Sequence, residues 1–110
     1  MASPQLKNYL RSNRKRLGLS QKDVAFLLGA RGGAKVCRYE RFSREPSLET
    51  ALAFEVIFQK PASELFAGLY KEVEQRVSAR AKVLTYRKDF QNPQGRSTRK
   101  LEAIKAIMSR

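Results

Sequence analysis

The chain has 110 residues, with 23 Lys+Arg against 10 Asp+Glu, a net charge of +13, one cysteine and no histidine. That length suits one domain with room for an appendage, and a core modest enough to gain from a partner subunit. The lone Cys37 excludes an intrachain disulfide and a thiolate zinc site, so no metal and no cofactor is expected. Neither a signal-peptide h-region in MASPQLKNYLRSN nor an apolar run near the roughly 18 residues that span a bilayer is visible, which predicts a cytoplasmic protein with no membrane partner.

Charge of this sign favours a polyanionic partner. The excess is shared along the chain: residues 1–69 hold 12 basic and 6 acidic side chains, residues 70–110 hold 11 and 4. A basic tail on a neutral domain would be distributed differently.

The pattern predicts an all-α chain. Ser3-Pro4 resembles an N-cap with Pro at the first helical position, and Leu6, Leu10, Asn13 and Leu17 continue at helical spacing to Gly18. Ser20 with Asp23 forms a capping-box signal, followed by Val24, Ala25, Leu27 and Leu28 as the apolar face of a short second helix that Gly29 stops. A third helix is expected over Ala34 to Phe42, with Val36, Tyr39 and Glu40 inward. Ser47 caps a fourth, whose stripe reads Leu48, Ala51, Leu52, Glu55 and Phe58. Pro61 breaks it, and a short fifth around Ser63 to Ala67 carries Leu65 and Phe66 into the core.

A longer helix runs from Leu69 toward Phe90, with Tyr70, Val73, Val77, Ala81 and Leu84 in step. Gln91 to Arg96 is a break, and Ser97 to Ser109 is a last helix carrying Leu101, Ile104, Ile107 and Met108. The domain boundary falls at residues 69 and 70. The stripe Tyr70, Val73, Val77, Leu84 either closes over the first five helices or pairs with its copy; the second reading predicts a homodimer.

Leu17-Gly18-Leu19-Ser20-Gln21, Leu28-Gly29, Tyr39-Glu40-Arg41, Arg44 through Thr50 and Glu64-Leu65-Phe66, in this order and spacing, resemble the Cro/phage-repressor (XRE) family of helix-turn-helix DNA-binding domains. The resemblance covers residues 6 to 66. It implies a five-helix lambda-repressor-like domain, here with a C-terminal helical extension, and double-stranded DNA as partner. The resemblance places phosphate contact at Gln21 and base reading at the start and outer face of the third helix: Ala34, Lys35 and Arg38, with Arg31 in the turn. Arg and Lys suit the two acceptors of guanine in the major groove, while Ala34 could touch a thymine methyl. Arg41 and Arg44 follow as phosphate contacts. Arg14 and Glu40 match a pair that is a buried salt bridge in several family members.

Two departures from the family stand out. The stretch Gly29 to Tyr39 is one residue longer and carries Gly32-Gly33 where Ser or Thr commonly caps the third helix. Phe42 stands where the family often has Gly; either the helix continues through it or it packs against the fourth helix. Catalysis has no foothold in the sequence, since no nucleophile-base pair or Gly-Lys-Ser/Thr loop is present. The expected function is therefore a transcriptional regulator, a repressor at a short inverted repeat. The alternative is an antitoxin that binds a toxin through the residues after 69 and regulates its own operon.

Overall fold

The computed structural model describes residues 6–87 and 97–110. The Ser3-Pro4 cap and the break at 91–96 lie outside the described residues. The helix expected to run toward Phe90 ends at Leu84, where Thr85 and Tyr86 turn back to bond the Lys82 and Val83 carbonyls. Among those described there is no strand, and the protein is all-α: α1 (Leu10–Arg16), α2 (Gln21–Leu27), α3 (Ala34–Glu40), α4 (Leu48–Phe58), α5 (Ala62–Leu65), α6 (Ala67–Leu84) and α7 (Ser97–Met108). The chain divides into two compact units, Met1–Tyr70 and Lys71–Arg110. No helix among the described residues is long and apolar enough to cross a membrane.

Local chemistry sets most helix ends in the first unit. Ser20 and Asp23 form a complete capping box, and the Ser47 hydroxyl accepts the Thr50 N–H. Three helices close in the same way, with a left-handed residue just past the C-cap and paired bonds back to the last turn. For α1 that residue is Gly18, where the N–H of Leu19 returns to the Arg14 carbonyl. For α2 it is Gly29, with Ala30 N–H on Ala25. For α3 it is Phe42, at φ 64°, with Ser43 N–H on Arg38. Here a bulky side chain occupies a conformation that suits glycine.

The first helix starts later than its apolar step predicts. Residues 6 to 9 are not helical because their polar groups are spent on distant parts of the unit. The Leu6 carbonyl accepts the Gly68 N–H at 2.9 Å, and the Tyr9 N–H donates to Leu65 at 2.7 Å. The buried Asn8 amide donates to the Tyr39 carbonyl and its oxygen accepts the Leu10 N–H. Leu6 is accordingly exposed, while Leu10 is completely buried.

The core of this unit gathers Leu10, Val24, Ala25, Val36, Tyr39, Phe54, Phe58, Leu65 and Phe66. At its centre Phe54 stacks on Phe58 at 5.8 Å and meets Tyr39 and Phe66 edge-on. This corrects the expected α4 stripe. Ala51 and Phe58 do face inward, but Leu48 and Leu52 are exposed and Phe54 takes their place. The buried arc is turned by roughly a quarter of the helix circumference, since one residue advances it about 100°. Two rings on that arc bury more surface and gain ring-ring geometry that leucines cannot. Leu27 is likewise exposed: the arc spanned by Val24, Ala25 and Leu28 already fills the contact that a two-turn helix can make.

In the second unit α7 runs back along the later part of α6. Ala81 and Ile104 are buried, and Arg110 pairs with Glu74 at 3.2 Å.

Candidate nucleic-acid interface

The connection from α2 to α3 is built for close approach. Gly29 and Gly32 both take positive φ, 76° and 70°. Gly33, the N-cap residue of α3, lies against the first turn of α2: a Cβ on it would stand 3.0 Å from the Cβ of Gln21 and 3.5 Å from the Lys22 nitrogen. A capping Ser or Thr there would require Gln21 to give way by a few tenths of an ångström. Gly32 and Gly33 give up a side-chain cap and bring the two helix starts together.

A polar network then locks α3 in place. Arg14 on α1 donates through Nε and Nη2 to the two carboxylate oxygens of Glu40, at 2.6 and 3.2 Å. Its Nη1 reaches the Leu19 carbonyl at 3.0 Å. Gln21 on α2 donates to Glu40 at 3.1 Å. Glu40 therefore ties three helices together, and the carboxylate raises the Arg14 pKa above its ordinary value through the hydrogen bond and charge, against a smaller opposing effect of burial. The Gln21 side chain points into this network in the structure, spending one of its two amide hydrogens on Glu40.

With Val36, Tyr39 and Glu40 turned inward, the opposite side of α3 is set. Ala34, Lys35 and Arg38 are exposed on it, and Arg31 is exposed in the turn before it. Arg41 and Arg44 are exposed just beyond its end. Among the described residues none of these five cations is ion-paired with a carboxylate, including Arg41 with Glu45. Between Val24 and Arg44 the single acid is Glu40, whose charge is already matched by Arg14. Lys22, exposed in the first turn of α2 beside Gly33, adds a sixth cation that the sequence reading passed over. Its place next to Gln21 at a helix start was the available signal.

The helix ends at Glu40 and does not continue through Phe42, which lines a small cleft with Pro46, Phe66 and Leu69. Of the stripe expected to pair two copies, Tyr70, Val73 and Val77 are exposed at 39, 41 and 44%, whereas Leu84 is half-buried in its own unit. Cys37 is half-buried on α3. No cluster of three or more metal-ligating side chains exists among the described residues.

Comparisons with protein-family models, with curated proteins and with solved structures find no match to this chain. The functional reading therefore rests on the geometry and charge described above.

Proposed function

We propose that this protein binds double-stranded DNA sequence-selectively and regulates transcription, as a repressor at a short inverted-repeat operator. The observation that carries the reading is the outer face of α3: Lys35 and Arg38, with Arg31 before them, exposed and without an ion-pair partner among the described residues. A major groove admits one α-helix, and guanine offers Arg or Lys two acceptors on its groove edge. In this reading α2 and α3 form a helix-turn-helix of the phage-repressor kind, with Arg31, Ala34, Lys35 and Arg38 on the bases. Lys22, Arg41 and Arg44 sit on phosphates, which fix register and supply salt-dependent affinity. Gln21 joins them on phosphate at the start of α2 with the amide hydrogen that Glu40 does not take.

One recognition helix reads only a few base pairs, too few for selectivity against a genome. Two copies bound about a dyad would put their α3 helices in successive major grooves, one DNA turn, about 34 Å, apart, and the exposed Tyr70 and Val73 are the side chains proposed to join them. The test is selection of bound duplexes from a random library, followed by footprinting. Enrichment of an inverted repeat with half-sites one turn apart is expected. Uniform retention of random duplexes would reduce the protein to a nonspecific polycation and overturn the reading.

A further inference from the structure

The second unit is under-covered. Among its described residues only Ala81 and Ile104 are buried, and two such residues make a poor core for two helices. Beside them lies an open apolar groove of about 510 Å³, walled by Val77, Leu84, Ile104 and Ile107. Arg80 and Arg87, both exposed and neither ion-paired among the described residues, line the same groove, and none of its described lining residues is a carboxylate.

We propose that this groove docks an acidic amphipathic helix of a protein partner, with apolar side chains between Val77, Leu84 and Ile107 and carboxylates against Arg80 and Arg87. The groove is too open to enclose a small ligand, which normally buries most of its surface. A helix laid along two packed helices completes the missing layer, the common way an apolar groove between helices is used. Charge selects the partner. Residues 71–110 hold 11 basic and 4 acidic side chains, so a second copy laid in this groove would set its basic surface against Arg80 and Arg87, whereas an acidic helix meets a complementary rim. Nothing in this inference depends on α3 or on DNA.

The probe is a fluorescein-labelled synthetic helix of about 20 residues, long enough to hold its structure, with leucines on one face and glutamates flanking them. A counterpart carries lysines in place of the glutamates. Anisotropy with the full chain is expected to show binding of the glutamate peptide alone. Backbone amide shifts should concentrate at Val77, Leu84, Ile104 and Ile107. Arg80→Glu with Arg87→Glu, both at exposed sites, should weaken binding by about tenfold or more, since two favourable rim pairs become repulsive. Arg11→Glu with Lys15→Glu on α1 changes the net charge equally and should leave binding unchanged.

The proposal is overturned if both peptides bind alike, or if neither binds. It is equally overturned if the α1 variant loses as much affinity as the groove variant, since that is long-range attraction to a polycation. Groove amides that shift with protein concentration alone would assign the face to a second copy instead.

Discussion

The Arg14 guanidinium and the Glu40 carboxylate form a two-point ion pair at 2.6 and 3.2 Å, with side chains only 12 and 3% exposed. Planar fork-to-fork geometry fixes the angle between α1 and α3 as well as their separation. The pair contributes more to the aim of the recognition face than to net stability, because desolvation offsets much of the attraction.

Removing one member leaves the other stranded. Glu40→Ala also leaves the Gln21 amide without its acceptor, and should lower unfolding free energy by about 3–5 kcal/mol in urea titrations. The double change Arg14→Met with Glu40→Leu should be milder than either single change. Wild-type melting in both singles would show that the pair is not formed in solution.

Gly68 sits on α6 where the chain before α1 crosses it. A Cβ there would fall 2.2 Å from the Leu6 carbonyl oxygen and 2.9 Å from the Lys7 Cα, both backbone atoms. Alanine ordinarily helps a helix by about 1 kcal/mol over glycine. Here overpacking against rigid backbone, about 1–3 kcal/mol or more, decides the sign. Gly68→Ala should therefore destabilise the protein and expose the Tyr9 and Gly68 amides to hydrogen exchange; a stabilised variant would mean that residues 6 to 8 do not cross α6.

Arg38 and Arg44 separate base reading from phosphate contact. Arg38→Ala should cost about 1–3 kcal/mol on the selected operator and little on random duplex. Arg44→Ala should weaken both alike and reduce the slope of log affinity against log salt by about one. Equal losses for Arg38 on both duplexes would move it to the phosphate class, and an unchanged slope would take Arg44 off the interface.

Asp23 titrates below the ordinary carboxylate range because the Ser20 N–H donates to it, with the Ser20 side chain adding to the effect. A depressed folded-state pKa contributes stability above the unfolded value, about 3.9, and that contribution is lost as pH falls through the folded value. Asp23→Asn should flatten this acidic limb of the stability profile. Carboxyl NMR showing Asp23 at its ordinary pKa would mean the capping box is open in solution.

Sequence alone determined what is local. The capping box at Ser20 and Asp23, the Ser47 cap and the stops at Gly18 and Gly29 were legible because each depends on atoms within a few residues. The inward turn of Val36, Tyr39 and Glu40 followed from helical period, and with it the outward face of Lys35 and Arg38. Tertiary structure decided wherever two patterns competed or a distant group entered. The residues Leu6 to Tyr9 carry a helical step, yet Gly68, Leu65 and Tyr39 take their polar groups. On α4 two overlapping stripes were available, and ring packing at Phe54 selected one. Phe42 holds a left-handed turn that its own residue type does not favour, and Gly33 lies close against Gln21. Gln21 itself reads as a surface amide until Glu40, nineteen positions away, is brought within 3.1 Å. Period and capping act through neighbours in the chain, whereas these outcomes depend on which atoms the fold sets side by side.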